Sequence, residues 1–199
     1  MGLMTPRLNP VSLPVGEAEA FAGLEINHIS RGFVATDALV KKASARVVLA
    51  TAVTPGKFLI LLDGAVADVE ESLLEAERIA GDQLIDRFWL PFAHRMLEPA
   101  VFGILPSRPD GAIGIVETAT ACSGIRSMDA ALKVAPVVPV VMHLAMSIGG
   151  KCYYVLAGDL YDVQEAVAAA ADALGTSGRL LATEVIPAPH PDFIQALGV

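Results

Sequence analysis

Charge is what this chain has least of. Asp, Glu, Lys and Arg together make up 18% of the residues, hydrophobic residues 54%, and the mean hydropathy is +0.56. Such a chain either enters a membrane or covers much of its surface with partners. What a membrane span requires is missing. The longest charge-free apolar stretch is the 17 residues between Lys133 and Lys151, interrupted by Pro136, Pro139, His143 and the pair Gly149 and Gly150. A spanning helix needs about 20 clean apolar residues, so subunit contact is the better explanation and an obligate oligomer is expected. A basic cluster is also missing: the net charge is −8 and the pI near 4.9, which argues against binding nucleic acid. Cysteine is scarce. Cys122 and Cys152 give no secreted disulfide framework, although a lone bridge stays open. Residues 1–14 hold no hydrophobic core of a signal peptide, so a reducing cytoplasm is expected.

What the chain does have is a segment written twice. GKCYYVLAGD at 150–159, followed by DVQE at 162–165, echoes GKFLILLDG at 56–64, followed by DVEE at 68–71. Lys57 and Lys151, Gly64 and Gly158, and Asp68 and Asp162 share an offset of 94. Upstream, Glu25, Gly32, Asp37 and Lys41 match Glu117, Gly124, Asp129 and Lys133 at 92, and downstream LPFAH at 90–94 matches IPAPH at 186–190 at 96. Each step of two belongs in a loop, where insertions are tolerated. The period is too long for a solenoid unit and has the size of a small domain, so the chain reads as a tandem duplication.

Taken in order, residues 1–21 read as an irregular arm with Pro6, Pro10, Pro14 and Gly16. A short strand is expected over 22–26, a helix over 32–43 with Ala35, Ala38, Leu39 and Ala43 on one face, and a buried β-branched strand over 46–53. Thr54, Pro55 and Gly56 break it, and 57–62 is the next strand. Val69, Ser72, Leu73, Ala76, Ile79 and Ala80 form a helical stripe, repeated as Val163, Ala166, Val167, Ala170, Ala173 and Leu174. Gly81 and Gly175 sit where a left-handed C-cap would end each helix. Closing strands are expected over 84–90 and 180–186. Each repeat is therefore β-α-β-β-α-β, a sheet with helices on one face and an α+β class. The first domain spans 22–97, a linker 98–110, and the second domain 111–199.

Five blocks carry a resemblance: GIVET at 114–118, DAALK at 129–133, SIGGK at 147–151, AGD at 157–159 with Asp162 and Val163, and IPAPH at 186–190. Together, in this order and from Gly23 to His190, they resemble the signature blocks of bacterial microcompartment shell proteins, and two such domains in one chain resemble the tandem-domain trimeric class. The resemblance implies two ferredoxin-like shell domains and a homotrimer whose six domains mimic a hexamer. It also implies tiling with other shell proteins around enclosed enzymes, within a microcompartment in the bacterial cytoplasm.

The resemblance assigns a central pore to the turn at Ser147, Ile148, Gly149, Gly150 and Lys151 and to its counterpart at Thr54, Pro55, Gly56 and Lys57. Glycines let the backbone approach an axis and present N–H groups to a passing polar solute; from spacing alone the same residues are ordinary hairpin turns. Lys41 and Lys133 are implied at the tile edge, where a helix C-terminal lysine also suits the dipole; His94 and His190 recur after a proline, and with only His28 and His143 as further histidines they read as surface or edge packing and not a metal site. Shell proteins often carry an arginine between the prolines of the closing motif. Ala188, with Phe92 as its counterpart, stands there instead. Some tandem members hold an iron–sulfur cluster through a cysteine just before Pro-Gly-Lys. Thr54 occupies that place, and since thiolates hold such clusters, no metal and no cofactor are expected. Lys57 and Lys151 would add positive charge to the lining if their side chains reach it, suiting small polar or anionic metabolites.

Other residues have plainer readings. Phe88, Trp89 and Phe92 form an aromatic patch of core or subunit contact. Cys152 begins an apolar strand and reads as a buried thiol. Glu25 and Glu117 recur for structural reasons, and nothing assembles a nucleophile, base and oxyanion site, so no enzyme is expected. The competing classes are a ferredoxin-like trimeric ligand-binding or regulatory protein, and an enzyme with Cys122 or Cys152 as nucleophile.

Overall fold

The structure, a computed structural model, describes residues 19–105 and 110–197. The arm assigned to 1–21 lies outside these except at its end, where strand β1 (Ala20–Ile26) starts two residues earlier than expected because Ala20 and Phe21 pair with Gly64 and Asp63. The first repeat continues with α1 (Ile29–Lys42), β2 (Arg46–Val53), β3 (Lys57–Gly64), α2 (Val66–Ala80), a 3₁₀ turn and β4 (Leu84–Pro91). A short helix α3 (Leu97–Val101) follows, straddling the expected boundary between the first domain and the linker. The second repeat runs β5 (Ala112–Thr118), α4 (Ala121–Val134), β6 (Val138–Leu144), β7 (Cys152–Gly158), α5 (Leu160–Leu174), β8 (Leu180–Ile186) and α6 (Pro191–Ala196).

Each repeat makes a four-stranded antiparallel sheet of the same order, β2-β3-β1-β4 and β6-β7-β5-β8. The fold is the α+β tandem architecture expected. Both offset steps fall in loops. Three residues separate Val53 of β2 from Lys57 of β3, and five separate their counterparts Ala145 and Lys151, which lie just outside β6 and β7; likewise the passage from Gly175 to β8 is two residues longer than that from Gly81 to β4. Gly81 and Gly175 do end α2 and α5 at positive φ (52° and 49°), but with ψ of −132° and −138°. That region lies outside the left-handed helical well expected for the cap and admits essentially glycine alone.

The helix stripes hold in α2, where Val69, Ser72, Leu73, Ala76 and Ala80 are buried, and in α5 as far as Leu174, whereas Ala173 faces solvent. In the first repeat the α1/α2 layer seals Leu24, Ile26, Phe58, Ile60 and Leu62 beneath it. Its other sheet face is also covered: Phe21, Leu59, Leu61 and Phe88 share one core with Ala121, Cys122, Ile125 and Met128 of α4. Helix α4 thus lies between its own sheet and the outer face of the first. This splits the expected aromatic patch. Phe88 is buried against Phe21 at 5.2 Å, Trp89 packs on the opposite face, and Phe92 is 73% exposed. Alternation along β4 sends neighbours to opposite sides.

Candidate functional site

The two glycine turns that the repeat singles out come together. The Ser147 backbone N–H donates to Thr54 Oγ1 at 3.0 Å, across 93 residues of sequence. Gly150 sits at φ +80°, and a Cβ there would lie 2.7 Å from the Thr54 carbonyl oxygen and 3.1 Å from both Lys57 Nζ and Pro55 Cδ. Only a glycine permits that approach. The tips point elsewhere: Gly56 and Gly149 have open space where a side chain would be, Pro55 is exposed, and Ile148 is half-buried. A thiolate donor set for an iron–sulfur cluster does not fit here, since Thr54 offers a neutral hydroxyl already accepting a hydrogen bond.

Both turn lysines are compensated, which alters the expected electrostatics. Lys57 Nζ lies 3.2 Å from Glu25 Oε2, and Lys151 Nζ lies 2.6 Å from Glu117 Oε1. The pairs are repeat equivalents set in different surroundings. Glu25 is fully buried and its other oxygen accepts the Cys122 backbone N–H at 3.0 Å. Burial raises its carboxyl above the usual range, opposed by the Lys57 charge. Glu117 and Lys151 are 37% and 50% exposed at the side chain. Beside them lies a hollow of about 340 Å³, lined by Ile115, Glu117, Ile148, Lys151, Cys152 and Tyr153.

Residues not foreseen join the repeats. Asp86 accepts from Thr120 Oγ1 and from Ser123 Oγ, the latter at 2.5 Å, and Thr120 in turn caps α4 by accepting from the Ser123 N–H. Asp86 was invisible because its counterpart is Ala182, so no recurrence marked it; Glu25 and Lys57 carried that mark. Of the residues implied at a tile edge, Lys133 pairs with Asp129 at 2.6 Å, and Asp129 also accepts the His94 backbone N–H at 2.7 Å. His94 is half-buried, which lowers its pKa. Their counterparts are open: Lys41 pairs with Asp37 at 2.5 Å with both side chains exposed, and His190 caps α6 by accepting from the Asp192 N–H at 3.2 Å.

Both cysteines are free and fully buried, and burial pushes both thiols well up. Cys152 points at Gly124 of α4. Among the described residues no group of three or more His, Cys, Asp or Glu is placed to hold a metal ion, and no helix is long and apolar enough to cross a membrane.

The BMC domain model matches residues 20–93 and again 112–189. The chain is 39% identical over 173 residues to the bacterial microcompartment shell protein PduT of Citrobacter freundii, covering 87% of this chain and 94% of that protein. Among solved structures it superposes on a microcompartment protein from Desulfitobacterium hafniense with a TM-score of 0.79 at 34% identity, covering 88% of this chain and 98% of the other. A fused permuted hexameric shell protein of the RMM microcompartment shares the fold with a TM-score of 0.60 at 22% identity, over 78% and 83% of the two chains.

Proposed function

The chain belongs to the BMC-domain family of bacterial microcompartment shell proteins, and on that premise we propose that three copies close into a ring of six domains around a central passage. Six alternating turns, 54–57 and 147–151 from each copy, line that passage. The observation that carries this reading is the contact between the two turns, through Ser147 and Thr54 and through Gly150. A contact between sequence-distant turns of successive domains is what a ring of alternating domains needs at its axis.

The passage suits small polar metabolites. Its lysines are paired with glutamates, so the lining offers hydroxyl and backbone groups more than net charge. The ring tiles with other shell proteins through edges bearing Lys41 and Lys133, His94 and His190, within the cytoplasm of a bacterium. The role is structural and not catalytic, in keeping with two cysteines that are buried and protonated. Sedimentation should give a trimer, and electron microscopy should give sheets or tubes. Lys41→Glu combined with Lys133→Glu should abolish the sheets and leave trimers. A chain that stays monomeric at micromolar concentration would overturn this reading, and a lone soluble trimer that binds a metabolite tightly would favour a regulatory protein.

A further inference from the structure

The two turns that meet at Thr54 and Ser147 are not built alike. The first takes three residues, 54–56, of which Gly56 alone has a positive φ. The second takes five residues between Ala145 and Lys151, and it places two residues with side chains at positive φ, Ala145 at 57° and Ser147 at 62°. Left-handed backbone is unfavourable for a residue with a Cβ, so contacts outside the turn must hold it. The longer turn comes with a change in the strands behind it. Thr51 and Leu59 face each other across β2 and β3, whereas their counterparts across β6 and β7 are His143 and Tyr153.

His143 is 6% exposed, and its ring lies flat against Tyr153, with 5.5 Å between centroids and 8° between planes. Its Nε2 lies 2.6 Å from the Met146 carbonyl oxygen. A carbonyl can only accept, so Nε2 carries the proton. The peptide unit that offers this carbonyl is the one whose N–H belongs to Ser147, and that N–H donates to Thr54 Oγ1 at 3.0 Å. In a trans peptide the two groups point in opposite directions. One peptide unit is therefore gripped from both sides, by the second sheet through His143 and by the first repeat through Thr54. Accepting a bond at the oxygen polarises the unit and strengthens the donation from its nitrogen.

We infer that His143 is a positioning residue for the passage: by holding the Met146 carbonyl it fixes the Met146–Ser147 peptide and so joins the second turn to Thr54. Stacking on Tyr153 fixes the plane of the ring and with it the direction of the N–H. The arrangement demands a donor at 143 and an acceptor at 54, two side chains that act on each other only through the backbone unit between them. Its meaning for a passage rests on the ring proposed above, while the grip itself lies within one chain.

The full-length chain is compared with His143→Leu, His143→Gln, Thr54→Val and the double variant His143→Leu with Thr54→Val. Hydrogen–deuterium exchange is read at the Ser147 amide, and sedimentation is run in parallel. Loss of the donor or of the acceptor should each speed exchange of that amide by about fivefold. His143→Gln, which keeps a donor, should stay within about twofold of the native rate. The double variant should exchange about as fast as either single one, whereas two independent contacts would multiply to about twenty-fivefold. An unchanged rate in His143→Leu, a rate in His143→Gln equal to that in His143→Leu, or multiplying effects would each overturn the role of His143, whatever the sedimentation. A native chain that sediments as a monomer yet shows the expected exchange pattern would keep the grip and overturn the passage.

Discussion

The two repeats share strand order, helix placement and turn chemistry, yet differ at one corner of the sheet. In the first repeat Arg46 and Asp63 face each other across β2 and β3 and form an ion pair. Glu98 of α3 closes the cluster, 3.6 Å from the guanidinium. In the second, the same register position pairs Val138 with Ala157, and Ile194 of α6 packs over them. One corner is a charged triad and the other an apolar trio. What separates them is cover. Helix α3 also packs on α4 and β6, so Asp63 is 1% exposed and Glu98 7%. The residues of α6 are buried nowhere within the chain. A duplicated domain keeps its own fold through one set of residues and diverges at the faces it turns toward neighbours.

Breaking the triad on one side has the largest expected effect. Arg46→Met leaves two buried carboxylates against each other and should cost about 3–5 kcal/mol, measured by denaturant unfolding. The combined change Arg46→Val, Asp63→Ala and Glu98→Ile copies the second repeat into the first. It should be neutral or stabilising by up to about 4 kcal/mol, since a well-packed apolar group often matches a buried ion cluster. A triple variant less stable than Arg46→Met would show that the corners are not interchangeable.

A pH titration sharpens the same contrast. Burial first, then the neighbouring Asp63, raises the Glu98 carboxyl to about 7. The folded chain therefore holds a proton that the unfolded chain releases near 4.5, and this contribution to stability is complete below about 4.5 and is lost as pH rises through about 7. Melting temperatures should fall between pH 5 and 8 more steeply for the native chain than for Glu98→Gln. Parallel curves would remove Glu98 from the account.

The smallest effect compares equivalent lysines. Lys41→Ala removes an exposed pair within one helix and should change stability by about 0.5 kcal/mol or less. Lys133→Ala removes the partner of Asp129, which is 5% exposed at the side chain and holds the His94 N–H, and should cost about 1–2 kcal/mol. Equal effects would mean that the environment of Asp129 contributes nothing.

Much of the fold was legible because the duplication supplied an internal control. A periodic stripe seen once is a suggestion, whereas Val69 to Ala80 recurring as Val163 to Leu174 is hard to produce without a helix in both places. The turns were legible for the same reason, with glycine and lysine at matching offsets. Three things were not. The pairing of Lys57 with Glu25 and Lys151 with Glu117 joins residues more than thirty apart, and only strand register brings them to one spot. Asp86 and the Arg46 triad occur in one repeat alone, so recurrence could not mark them. The aromatic residues near 90 were read together because they are close in sequence, while a strand separates such neighbours by face.

Local chemistry in the sequence therefore determined the six elements of each repeat, their order, the duplication and the turns, though not the short helices α3 and α6: helical and strand periods, glycine at strained backbone and the repeat offsets are all properties of short segments. Tertiary structure alone decided what each face meets. The same helix face is core in α4 and open in α1, and the same glutamate is buried at 25 and exposed at 117. Burial depends on what the rest of the chain lays over a surface, and no short stretch of residues contains that information.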